Sequence, residues 1–273
     1  MLPGFLASIS TPPDGFSAPG TEIFDYTEKC LVGSAPWCLT RVTFWMLMSA
    51  VIIVVVFMVA FSKASVVPAG LQNAVESIVE FIRNGIVMEV MGPAGLPFLP
   101  FLTALFVFIW VNNIFGIIPG INFPTTARMA IPAFLAVLVW VVFNVVGIVK
   151  QGGWHYLRGV LFPPGVPAPI YILVTPIELV SVFIVRPLTL AVRLSANMIA
   201  GHLILAIFAL GTWYLFSHFV TEGATLWVGT FSVLSFALLL FMTAFELLVG
   251  VLQAYIFTIL AAVYISGAIH PEH

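Results

Sequence analysis

Two apolar runs toward the C-terminal end limit the fold more than any other feature of this 273-residue sequence. Residues 170–219 are compatible with helix except at Pro176 and Pro187, and residues 224–268 carry a single charged side chain, Glu246. At 1.5 Å per residue the runs are roughly 75 and 68 Å long, against a hydrocarbon core of about 30 Å. Each must either fold back into two spans or cross obliquely. Folding back needs tight turns, and Arg186–His202 holds no Gly/Asn/Pro cluster suited to one. Ordinary tilts reach only about 40°, so an oblique pair is unusual. It is still the favoured reading: two long, steeply inclined helices forming a hairpin.

The rest of the chain fits the same solvent. It is 62% hydrophobic with 7% charged residues and a mean hydropathy of +1.17, which predicts an all-α polytopic membrane protein. Residues 1–40 read as an extramembrane tail, acidic through Asp14, Glu22, Asp25 and Glu28, with no positive leader typical of a cleaved signal. Residues 41–268 form one membrane domain. Its first span is 42–61, bracketed by Arg41 and Lys63. In 69–90, Leu71, Val75, Ile78, Ile82 and Ile86 recur at helical spacing, with Gln72, Asn73, Glu76, Glu80, Arg83 and Asn84 on the other side. That pattern predicts an interfacial amphipathic helix, although a helix packed on a soluble partner reads the same way. Residues 98–119 and 127–149 form a hairpin closed by NNIFGIIPGINFPTT, where Gly116–Gly120 reads as turn chemistry. A proline-rich loop follows, with His155 and Arg158 expected at headgroup level.

Ionic residues inside such runs need a reason, because an intramembrane charge costs about 2.5–3.5 kcal/mol even on insertion scales. RPLTLAVRLSANMIAGH, residues 186–202, holds two arginines, an asparagine and a histidine. On a helix Arg186 and Arg193 lie within roughly 20° of each other, Asn197 shares that side, and His202 is turned about 180° from Arg193. One helix thus presents a permanent cation one way and a titratable imidazole the other. Glu246 and Gln253 share a face of the last helix. His202 is the expected partner of Glu246 with Arg193 as competitor, and Gln253 is a candidate amide for Arg193. Glu178 either pairs with Arg186 or belongs to an ion path.

Several classes are excluded or unsupported. A net charge of −2 offers no basic face for nucleic acid. No GxxxxGK[ST], CxxC or HExxH occurs, so no nucleotide hydrolysis, cofactor or metal is expected of this chain. Cys30 and Cys38 are either bonded or two free thiols.

RPLTLAVRLSANMIAGHL, followed by TAFELLVGVLQAYIFTILAAVYIS and preceded by NNIFGIIPGINFPTT, resembles subunit a of the rotary F-type ATP synthase over about residues 42–268. The resemblance is to bacterial, particularly actinobacterial, members. It implies a proton-translocating, non-catalytic stator subunit with two offset half-channels beside a ring of c subunits. The family's essential arginine falls on Arg193, supported by Asn197 and Gln253. Its outer half-channel pair falls on His202 and Glu246. Glu178 falls on the inner half-channel, and Asn112 and Asn113 near the channel entrance. Implied partners are the c ring, b-type peripheral stalk subunits, a soluble nucleotide-binding head and membrane lipid, in a bacterial plasma membrane. The alternative is a secondary transporter or channel with a midplane ionic site, though no matching halves are visible. A membrane scaffold leaves the polar residues of the last two helices unexplained. Lys63, Arg83, Lys150 and Arg158 on one side against Lys29, Arg41 and Arg128 on the other predict the N-terminus outside and the C-terminus cytoplasmic.

Overall fold

A computed structural model describes residue 20 and residues 41–62, 65–118, 125–162, 170–221 and 225–269. The tail with Cys30 and Cys38, Lys63, the turn residues from Pro119 to Pro124, the prolines from Pro163 to Pro169 and the turn at Glu222 and Gly223 lie outside the described residues. Among those described, the regular structure is helical, with no strand. In chain order the helices are α1 (Arg41–Phe61), α2 (Leu71–Ile82), α3 (Leu99–Ile117), α4 (Ala130–Gln151), α5 (Gly153–Leu161), α6 (Tyr171–Val180), α7 (Arg186–Thr221) and α8 (Leu226–Ile269). A π-wound stretch, Arg83–Met91, and a 3-10 stretch, Gly92–Phe98, join α2 to α3. A second π-wound turn, Ser181–Val185, joins α6 to α7. Five helical stretches among the described residues are long and apolar enough to cross a membrane: Thr43–Phe61, Leu71–Ile117, Ala130–Gln151, Tyr171–Val220 and Leu226–Ile269.

The stretch Leu71–Ile117 is not one rod. Gly92 has φ +63, a backbone state that other L-residues rarely enter. The chain reverses there, and α2 packs back on α3, with Phe81 and Phe106 ring centroids 6.1 Å apart. The apolar side of α2 and of the π-wound stretch is fully covered at Ile82, Ile86 and Val87. The same stretch runs along α8, where Ser266 Oγ donates to the Val90 carbonyl at 3.1 Å.

The long pair α7 and α8 pack on each other, and α3 and α4 brace them. Close approach comes from small side chains. Gly250, Ala254, Thr258, Ala261, Ala262 and Ala268 are buried on α8 between the larger Phe257 and Ile265, and at those small positions neighbouring helices can approach closely. The outer surfaces stay apolar and open, as at Val51, Met58 and Val59 on α1. Such a surface suits lipid, in which burying it against protein gains little.

At one end of the bundle α5 is held down by a single aromatic. Tyr156 is buried, and its hydroxyl donates to Asn144 Oδ1 at 3.2 Å. Its ring occupies the space above Gly147, where any Cβ would overlap it. His155 and Arg158 are exposed on the same helix.

Candidate functional site

The sequence of α7 divides its surface. Leu190, Ala191, Leu194, Ser195 and Met198 are buried, while Val192, Arg193, Ala196 and Asn197 are exposed. Arg193 makes no hydrogen bond or ion pair with any described residue. Arg193 is thus exposed and unengaged by the described helices around it. Asn197 Nδ2 donates to Gln253 Oε1 at 2.8 Å, which ties this exposed side of α7 to α8. The amide of Gln253, considered above for Arg193, is thus engaged by Asn197 instead. Gln253 Nε2 is buried and has no hydrogen-bond partner among the described residues.

His202 points the other way and is 7% exposed. Its Nδ1 lies 3.0 Å from the Met198 carbonyl and its Nε2 3.0 Å from the Gly116 carbonyl. Glu246 Oε1 stands 3.9 Å from Nδ1, and Glu246 is itself buried. Glu246 pairs here with His202, not with Arg193. A neutral imidazole has one N–H and satisfies one of the two carbonyls; the cation satisfies both and attracts the carboxylate. Gain or loss of the imidazole proton therefore changes the contacts of the pair, one carbonyl being satisfied in the neutral form and both in the cation.

Two glycines make room for this pair, and neither was singled out by sequence reasoning as a site residue. A Cβ at Gly116 would fall 2.7 Å from His202 Nε2, and one at Gly201 would overlap the Glu246 carboxyl. A glycine at each position lets a neighbouring helix bring a polar group up to the backbone.

The two asparagines of α3 do different things. Asn112 Nδ2 donates to Ser49 Oγ on α1 at 3.0 Å and to its own helix at the Phe108 carbonyl, and its Oδ1 accepts from Thr125 Oγ1 at 2.8 Å. Asn113 Nδ2 donates to the Gly250 carbonyl of α8 at 3.0 Å, and its Oδ1 accepts from Thr126 Oγ1 at 3.1 Å. Asn113 also lines a small cavity of ≈ 10 Å³ together with Asn197, Glu246, Gly250 and Gln253. That is close to the space one water molecule needs. Ser49, Thr125 and Thr126 complete this network and gave no periodic signal that could have marked them.

Glu178 lies apart, half-buried at the far end of the α6–α7 run, and forms no ion pair with Arg186 or any other described residue. Arg186 instead sits over the Tyr264 ring, 5.2 Å from its centroid, a cation–π contact.

An all-α polytopic membrane protein with its ionisable groups set inside apolar helices is the class this arrangement defines. The family model described as ATP synthase A chain matches residues 43–266. The chain is 41% identical to the ATP synthase subunit a of Frankia alni over 266 residues, covering 95% of this chain and 89% of that one. It is 40% identical to that of Rhodococcus erythropolis (95% and 92% covered) and 39% identical to that of a Nocardioides strain (98% and 99% covered). The chain belongs to the ATP synthase A chain family.

Proposed function

We propose that this chain is the ion-conducting stator of a rotary ATP synthase, with Arg193 set against the carboxylates of a c ring. As a family member it is a non-catalytic membrane subunit of the ATP synthase complex. The observation that carries the finer reading is the division of α7: an exposed guanidinium with no partner among the described residues on one side, a buried His–Glu pair on the other.

In this reading each c subunit brings one carboxylic acid, neutral while it faces lipid because a bare carboxylate there is costly. Close to Arg193 the cation favours the ionised form, and the proton leaves into one half-channel. Past Arg193 the carboxylate meets the other half-channel and is reprotonated. A guanidinium does not give up its proton at physiological pH, so it separates the two channels without short-circuiting them. The outer half-channel is formed by His202 and Glu246, with Asn112 and Asn113 at its entrance. Asn197 and Gln253 support the arginine helix. Glu178 lines the inner half-channel. Each proton crossing at 100 mV releases about 2.3 kcal/mol, so several are needed for one ATP made on a soluble head. The two long helices run steeply inclined along the ring, b-type stalk subunits hold the chain in place, and the N-terminus lies outside a bacterial plasma membrane.

Disulfide trapping in the assembled complex tests this. Cysteines placed at Val192 and Ala196, beside Arg193, are expected to cross-link to the ring helix that bears the acid. Failure of both to reach the ring, in a complex that retains this chain, would remove the reading.

A further inference from the structure

The turn that joins α6 to α7 sets the direction in which Glu178 points. In Ser181–Val185 the backbone is wound wider than an α-helix, and the Arg186 N–H donates to the Ser181 carbonyl five residues back. The cause is at hand. Pro187 has no N–H, and its ring presses on the carbonyl four residues earlier, that of Phe183. A turn opened to i→i+5 relieves that contact by holding one residue more than an α turn.

The angular consequence is large. Let Arg193 define 0° on the helix. Arg186 then lies about 20° and Asn197 about 40° to the same side, and buried Leu190 comes next at about 60°. An unbroken α-helix would put Glu178, fifteen residues before Arg193, about 60° to the other side, in the middle of the exposed arc. The extra residue in the wide turn rotates it by about 100°, to roughly the angle of Asn197. Its half-buried state, between exposed Ile177 and Leu179, fits that edge position.

We infer that the wide turn Ser181–Val185 is a register device that brings Glu178 into line with Arg186, Arg193 and Asn197. Glu178 is thereby a group on the arginine's own stripe, and the residues of the turn act on it by positioning alone. The inference rests on the reading of Glu178 as the inner half-channel acid.

The test is a change of one residue in chain length within the turn, made in the assembled complex. In a chain with Pro187→Ala, so that no ring presses on the turn, deleting exposed Ile184 lets the helix close to ordinary α winding with Glu178 at the same angle. Adding an alanine after Ile184 turns Glu178 away. Register is read from Glu178→Cys, in a chain with Cys30 and Cys38 replaced by serine, by the labelling rate of an impermeant thiol reagent from the cytoplasmic side. Function is read with Glu178 intact, by ATP-driven proton pumping. The deletion is expected to keep both within about twofold, and the insertion to lower both about tenfold or more. Pumping lost in an assembled deletion variant, or an insertion variant that labels and pumps like the parent, overturns the inference. Deleting Val185 reaches the same register by a second route, and failure of both deletions to assemble also overturns it, since the wide turn itself is then required. Glu178→Gln separates the two readings: unchanged pumping removes the acid's channel role, while labelling still decides the register.

Discussion

Replacing Gly201 with alanine puts a methyl group where the Glu246 carboxyl now rests. Two effects oppose each other. A Gly→Ala change inside a helix gains about 0.8–1 kcal/mol in propensity, whereas overpacking costs typically 1–3 kcal/mol. The obstructing atoms are the end of a flexible side chain, so the overlap is relieved when the carboxyl swings aside, and net stability changes little. The swing widens the present 3.9 Å separation of Glu246 Oε1 from His202 Nδ1. If proton passage depends on that pair, a loss of about 1.4 kcal/mol in its favourable geometry slows flow about tenfold. The assay is passive proton flow through vesicles stripped of the soluble head, with thermal stability of the complex measured alongside. Flow should fall while the melting temperature stays nearly constant. Parental flow in Gly201→Ala would refute the reasoning.

Arg193→Ala is expected to abolish ATP-driven pumping, and Arg193→Lys to fail too, because an ammonium is compact and can lose its proton; pumping in reconstituted vesicles measures both. His202→Ala or Glu246→Gln should slow passive proton flow with the complex still assembled, as quantified by a pH-sensitive dye. Asn113→Ala removes a second hydrogen bond from the Gly250 carbonyl and leaves the buried Thr126 hydroxyl without this partner, a loss of about 1–3 kcal/mol for the unsatisfied group, to be seen as a lower melting temperature. Burial raises the Tyr156 hydroxyl above the usual phenol range, against a smaller opposing pull from Arg186. Its raised folded value means that the contribution to docking α5 is complete below the unfolded phenol value of about pH 10 and is lost as pH rises through the higher folded value. Fluorescence of exposed Trp154 on the same helix should report the loss, and Tyr156→Phe should remove that pH dependence.

The long helices were legible in the sequence because an apolar run in a bilayer must satisfy its own backbone, and length alone then limits the options. The opposed sides of Arg193 and His202 followed from nine residues at about 100° each, and the cost of an unpaired carboxylate demanded a partner for Glu246, with His202 expected and Arg193 left as competitor. What escaped was everything decided between helices. Gly201 reads as an ordinary helix glycine until α8 brings Glu246 to its surface. Ser49, Thr125 and Thr126 reach Asn112 and Asn113 only through the docking of α1 and of the connection after α3. Gln253 shares its amide with Asn197, a choice of angle that spacing leaves open. The wide turn before Pro187 had one visible cause, the proline, and its direction of rotation needed the backbone.

The orphaned guanidinium also bears on how the complex is put together. A copy of this chain synthesised ahead of its neighbours must carry Arg193 into the bilayer with no ion-pair partner among its own described residues. The penalty is a few kcal/mol, a sizeable fraction of the roughly 5–15 kcal/mol margin of a folded protein and enough to change its abundance several-fold. Newly made subunits are therefore expected to be short-lived until the other membrane subunits of the complex arrive beside them, so that the same charge doubles as a check on stoichiometry.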